Sequence, residues 1–281
     1  MASFRTSSVF RFTRDYELLR KILRDGIIPN YCEEDLSFES TSFYVGIPMA
    51  SFCDIPITLL DEHTSRYGNY GIALSKEWAI QQGITPVMYV ANDVVLKSVY
   101  HHYHENQKII DWYYREGGQP GITPEGDILR LLSVSEYEKF LERREEHAIN
   151  THIIGYLKKY MGEYKSKPIN NYEENEWRFL VPDEDETKWY WRKQDYEGWR
   201  FPNNDRSVPK PAPRESLKKH TLLFSDSDIR YILLKDDEFK SRMIEFIKQT
   251  KTIGGNEITN DDQRDDLICK LITLDQVKRD F

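Results

Sequence analysis

The densest group of metal-capable side chains is His101, His102, His104 and Glu105, in the run YHHYHEN. On a helix His101 shares a face with His104 and with Glu105, three and four residues on, which is the geometry of a metal-binding pair. Hydrolytic zinc spacings such as HExxH are absent and tyrosines interrupt the run, so a polar helix face accounts for the same residues and no metal is expected. Cys53 has no histidine near it in sequence to activate a thiolate, and it reads as a small buried hydrophobe. Asp54, just before Ile55 and Pro56, reads as a turn or capping acid. There is no Walker loop, no GxGxxG and no GxSxG, so P-loop phosphoryl transfer and lipase-type hydrolysis have no support.

The elements that must position any site are clearest between Gly46 and Val90. Met49 to Cys53 reads as a short apolar strand closed by Asp54 and Pro56. Ile57 to Tyr67 has helical spacing and is stopped by Gly68 and Gly71. Ile72 to Leu74 is a second strand, Ser75 stands at an N-cap position, and Lys76, Glu77 and Trp78 open a helix that ends at Gly83. Pro86 to Val90 is a third strand. So many short elements in so few residues imply packing around one cleft.

The bulk numbers bound the rest. A chain of 281 residues that is 39% hydrophobic, 13% aromatic and 31% charged is globular and long enough for a real core. A net charge of −8 argues against broad phosphate-backbone binding, though a local basic patch stays open, so nucleic acid is not an expected partner outside such a patch. Cys32, Cys53 and Cys269 are scattered and odd in number, which gives no disulfide framework and suits a reducing, cytoplasmic setting. No apolar run approaches the ~20 residues of a membrane span, and MASFRTSSVF lacks a signal-peptide core, so no membrane association is expected.

In chain order, Val9 to Thr13 reads as a strand and Tyr16 to Arg24 as an amphipathic helix with Leu18, Leu19, Ile22 and Leu23 on one face and Gly26 as its stop. Residues 30 to 45 lack a clear period and read as loop. A helical insertion is expected at about 93–146, in two runs broken by GGQPGITPEG at 117–126. Ile149 to Tyr160 has strand-like character, and Trp177 to Val181 reads as a strand approached by the acidic run Glu173, Glu174 and Glu176. Residues 1–182 are expected to form the main α+β domain, 183–216 an aromatic and proline-rich insertion, and 217–281 the strands and helices that complete the same domain.

VFRFT and LLRKIL near the start, ASFCDIP, RYGNYGIALSKEW and PVMYV in the middle, and ENEWRFLVP in the second half resemble the AbiGi-type abortive phage resistance family. A weaker echo follows at FSDSDIRYILL, and Arg11 stands where this line has a histidine in the family. The resemblance implies the antitoxin half of a two-component phage-defence system, whose co-encoded toxin partner is nucleotidyltransferase-like.

The order of an aromatic and basic strand, a tyrosine-bearing centre and a late strand opened by an acidic pair is also similar to ADP-ribosyltransferase-like domains of the DarT type. That likeness implies a single domain of short strands and helices around an NAD cleft. It places Arg11 and Glu176 in catalytic positions and Tyr67, Tyr70 or Ser75 at the cofactor. A carboxylate can stabilise the oxocarbenium-like state of nicotinamide–ribose cleavage, as in glycoside chemistry, and a tyrosine face or a guanidinium can hold the ring and the ribose or phosphate oxygens. Each residue has a structural reading beside this one. Arg11 could be an arginine at a sheet edge paired with a carboxylate, Glu176 could be half of an ion pair with Arg178, and Tyr67 and Tyr70 could simply pack and hydrogen-bond.

Two functions are therefore expected to compete. One is a non-catalytic, antitoxin-like module that acts with a toxin. The other is an enzyme that uses NAD, not as a resident cofactor but as the substrate of ADP-ribose transfer or hydrolysis. The enzyme reading requires Arg11, a central tyrosine and Glu176 to converge on one pocket, and on it Glu176→Gln is expected to abolish NAD turnover with the melting temperature nearly unchanged.

Overall fold

A computed structural model describes residues 6–116, 134–164, 167–184 and 186–280. The chain opens with β1 (Ser8–Thr13) and α1 (Tyr16–Asp25), whose Asp15 cap accepts from the Glu17 N–H and whose exit is Gly26 at φ 93°. Leu19 and Leu23 on its inner face are fully buried, contributing about 2 kcal/mol each. Strands β2 (Asn30–Asp35) and β3 (Tyr44–Cys53) follow, then a turn of 3₁₀ helix and α2 (Leu60–Tyr67), then β4 (Tyr70–Ser75), α3 (Lys76–Gln81), β5 (Thr85–Pro86) and β6 (Met88–Val90). Helices α4 (Asp93–Glu116) and α5 (Val134–Gly155) are next, followed by β7 (Leu157–Lys159), β8 (Met161–Tyr164), β9 (Lys167–Asn170) and β10 (Glu176–Leu180). The last part comprises α6 (Lys193–Arg200), α7 (Glu215–Lys218), β11 (Ile229–Leu234), α8 (Asp237–Gln249), β12 (Thr252–Ile253), β13 (Asn256–Glu257), α9 (Asp261–Cys269), β14 (Leu271–Thr273) and α10 (Leu274–Asp280).

The class is α+β. Eight strands form one sheet in the order β14, β11, β4, β1, β3, β10, β5, with β2 also paired to β3, and every pairing except β11 with β14 is antiparallel. The largest core cluster joins α1, α3, α8 and α9 to the sheet through Leu19, Trp78, Met243 and Leu267. A second joins β2 and β3 to α4 and α5 through Val45, Ile47, Tyr103 and Ile154. Helices α4 and α5 overlap the two helical runs expected over 93–146, α5 running on to Gly155, and the expected break at 117–126 lies outside the described residues.

The way β3 shares its edges creates the site. One edge carries β10 from Met49 to Cys53. The other carries β2 from Tyr44 to Met49 and meets β1 at a single position, Phe10 opposite Cys53. Between β2 and β1, the stretch from Ala50 to Phe52 has no strand on that edge among the described residues, and the sheet is split there.

Several sequence expectations change. Residues 30–35 are not loop: NYCEED is a strand, paired on one side, whose charged residues hid any apolar alternation. Residues 149–155 are not strand-like; α5 continues to Gly155, and only Leu157–Lys159 is extended. Within the segment expected to supply strands, Leu222 and Phe224 form isolated bridges, to Ile27 and Gly255.

Candidate functional site

The split between β1 and β2 opens into a cavity of about 320 Å³. Phe10, Arg11 and Phe12 of β1 form one wall, Cys32 and Glu34 of β2 another, and Met49, Ser51 and Cys53 of β3 the floor. Tyr67 at the end of α2, Lys158 of β7, Glu174 and Glu176 complete it. Strand alternation explains the choice: Cys53 lies in register with Phe10 on one side and Glu176 on the other, so all three project to the same face.

Arg178 organises the acidic end. Its side chain is fully buried, and its donors are used in full. Nε donates to Glu176 Oε1 at 2.8 Å and Nη2 to Glu176 Oε2 at 3.1 Å. Nη2 also donates to Glu34, and Nη1 to the carbonyls of Gly155 at 2.9 Å and Leu157 at 3.3 Å. One guanidinium therefore ties β10 to β2 and to the α5–β7 junction. Lys158 Nζ bridges the neighbouring carboxylates, 2.6 Å from Glu176 Oε2 and 2.6 Å from Glu174 Oε2. Glu174 also accepts from the Tyr67 hydroxyl and faces Arg66 Nη1 at 3.5 Å.

The electrostatics follow from this wiring. Burial pushes the Glu176 carboxyl up, but Arg178 and Lys158 outweigh it and hold it well below the usual carboxylate range. Glu34 behaves in the opposite way: burial raises it by more than Arg178 and Lys158 lower it. Burial also works against the Lys158 ammonium, yet Glu176, Glu34 and Glu174 keep it charged well above the ordinary lysine value. Burial and then Glu174 raise Tyr67, so its hydroxyl stays a donor. Burial, helped by Glu176 and Glu174, pushes the Cys53 thiol up, which suits the inert cysteine expected.

The sequence candidates divide. Arg11, Tyr67 and Glu176 line the one cavity. Arg11 lies where β1 pairs with β4 on one side and faces the split on the other, and its Nη1 donates at 2.8 Å to the Ser51 carbonyl. Tyr70 and Ser75 are not brought there. Tyr70 packs in the core against Tyr16 and Phe239, with ring centroids 5.6 and 5.1 Å away, and Ser75 caps α3 by accepting from the Trp78 N–H at 3.1 Å. Asp54 is more than a turn acid, since it pairs with Lys76 at 2.6 Å. His101 and His102 are exposed on α4, and Glu105 pairs with Lys108 at 2.7 Å. Among the described residues no group of three or more His, Cys, Asp or Glu could hold a metal.

The expectation that Glu176→Gln leaves stability nearly untouched does not fit this site, because Glu176 is buried and answers two cations. Sequence reasoning missed Lys158 and Glu34 altogether. Lys158 sits in an unremarked YLKKY, and Glu34 in a stretch with no strand signal.

Comparison with known proteins places the chain in a family. The family described as abortive phage resistance protein AbiGi, antitoxin, matches residues 25–235, which include Glu34, Tyr67, Lys158, Glu174, Glu176 and Arg178 but not Arg11. An abortive phage resistance protein AbiGi of Lactococcus lactis subsp. cremoris is 28% identical over 246 residues, covering 84% of this chain and 89% of that protein. No solved structure matches the chain. The described residues contain no helix long and apolar enough to cross a membrane. The chain belongs to the AbiGi abortive phage resistance family.

Proposed function

We propose that this protein is the antitoxin component of an abortive-infection defence pair and restrains a co-encoded, nucleotidyltransferase-like toxin by binding it. The observation that carries the reading is the commitment of Glu176: both of its oxygens are held by Arg178 and Lys158 at 2.6 to 3.1 Å, the arrangement of a structural ion pair and not of a carboxylate left open to stabilise a reacting ribose. The antitoxin description of the family supports it over most of the chain. The test is expression of the adjacent toxin gene with and without this chain, followed by co-purification. Rescue of growth together with a stable complex is expected. A toxin that remains equally lethal and does not co-purify would refute the reading.

A second reading is favoured by one specific observation, the meeting of Arg11, Tyr67 and Glu176 at one cavity. On it the protein is an ADP-ribosyltransferase-like enzyme that takes NAD as substrate. A cavity of about 320 Å³ is at the small end for ligand sites, so it would hold one ring and ribose, with the rest of a dinucleotide leaving through the split in the sheet. Arg11→Ala is the better probe than a Glu176 variant, because Arg11 is only half-buried and makes one hydrogen bond to a carbonyl. Wild-type protein that neither binds nor consumes NAD disposes of this reading.

A further inference from the structure

Residues 188–219 carry nine lysines and arginines against four acids, in a chain whose net charge is −8. Three of these cations, Lys193, Lys210 and Arg214, gather around one aromatic cluster, in which Tyr190 stacks on Trp199 at 6.1 Å and both flank Tyr31, and two more sit over the nearby Phe201. The Arg214 guanidinium lies over Tyr31 at 5.2 Å and over Tyr190 at 5.5 Å. Arg200 and Arg206 lie over Phe201 at 4.4 and 5.0 Å, and Lys193 over Tyr44 at 5.8 Å. Lys210, on the proline-rich segment, reaches the Cys32 sulfur at 3.4 Å beside Tyr31. Of the nearby acids, Glu197 is engaged with Arg206 at 3.1 Å, Glu33 with the Tyr44 hydroxyl and Asp205 with Ser207, while Asp195 of α6 is exposed.

A guanidinium over a ring is held in place, and although Arg214, Arg200 and Arg206 each use one nitrogen within the protein, on the Tyr190 hydroxyl, the Val208 carbonyl and Glu197, their remaining N–H groups suit phosphate oxygens. Trp199, Tyr190 and Phe201 are each partly exposed among these cations, so the surface offers guanidinium planes lying over partly open rings as well as charge. Interleaved cations and ring faces fit a single strand, whose unstacked bases can lie on aromatics while its backbone meets the cations. A duplex hides its base faces, and an acidic protein surface would use the charge but not the rings. We propose that α6 and the following segment to Arg214 form a binding surface for single-stranded nucleic acid. The surface adjoins the β1–β2 cavity at Cys32 and does not depend on either reading of it.

The test is fluorescence anisotropy with the full chain and a labelled 20-nucleotide single strand, a duplex of the same sequence, and a polyglutamate peptide. The single strand is expected to bind more tightly than the other two, and its affinity to fall as salt rises, with a log–log slope of about −2 if some three phosphates are contacted. Exchanging Lys193, Arg206 and Lys210 together for alanine should weaken binding about tenfold or more at low salt, for the loss of three such contacts. Circular dichroism establishes that this variant is folded, and the salt dependence of the wild-type chain needs no variant. No binding of the single strand at low salt overturns the proposal, and so does an unchanged affinity in the triple variant. Equal binding of the duplex removes the role given to the rings, and equal binding of polyglutamate reassigns the surface to an acidic protein; either result overturns it.

Discussion

Lys158 Nζ lies 2.6 Å from Glu176 Oε2, and the two residues come from β7 and β10, strands of different sheets. The pair, with Arg178, fastens a small parallel two-stranded sheet to the main one through charge in a buried site. Taking one carboxylate out of such a group leaves the cations uncompensated, which costs about 3–5 kcal/mol. Glu176→Gln should therefore lose that much stability by urea denaturation near neutral pH, and its amide cannot accept from both cations on two oxygens. A midpoint within error of wild type would show that the pair does not hold the sheets together.

Glu34 should respond with the opposite sign. Its folded-state carboxyl is raised, so what it contributes to stability is present below the ordinary carboxylate value and is lost as pH rises through the raised one. Glu176 is depressed, so its contribution is present above the ordinary value and is lost on acidification. Glu34→Gln should thus cost less than Glu176→Gln, and its stability relative to wild type should improve from pH 4 towards pH 8. Urea midpoints across that range decide the matter; a relative stability that worsens with rising pH would reverse the assignment.

The local elements of this fold were legible and its assembly was less so. The strand at Val9 to Thr13, the Asp15 and Ser75 caps and the Gly26 stop could be read because each depends on residues within one turn. The meeting of Arg11, Tyr67 and Glu176 was legible only through a likeness in their order along the chain. β2 was not legible, since its acids Glu33, Glu34 and Asp35 fall on both faces of the strand and leave no alternation of apolar residues. Lys158 was hidden for a related reason: a buried lysine looks like a surface one until its three carboxylate neighbours, drawn from β2, β10 and the turn before β10, are in place.

Gly68 sets where Tyr67 stands. It follows α2 at φ 115°, and a Cβ there would lie 2.3 Å from the Thr13 carbonyl oxygen of β1. Gly68→Ala adds both backbone strain and a clash with main chain, together on the order of 2–4 kcal/mol. Because relief requires α2 to move away from β1, the Tyr67 hydroxyl should also leave Glu174. Thermal melting should register the loss. A variant as stable as wild type would mean that α2 is not held against β1 as described.

Two of the three cysteines, Cys269 and Cys53, should separate by reactivity. Cys269 is exposed at the end of α9, whereas Cys53 lies on the cavity floor with its thiol raised by burial and by the charges of Glu176 and Glu174. Only the thiolate attacks an alkylating agent, so a raised thiol is slow even where the cavity admits the reagent. A short pulse of iodoacetamide at pH 8, read by peptide mass spectrometry, should label Cys269 and spare Cys53 until denaturant is added. In Glu176→Gln the negative neighbour is gone and the local packing is weaker, so labelling of Cys53 should quicken while Cys269 is unaffected. Labelling of native wild-type Cys53 at the rate of Cys269 would mean that the carboxylates do not crowd that thiol, and the wiring drawn around Glu176 would have to be redrawn with it.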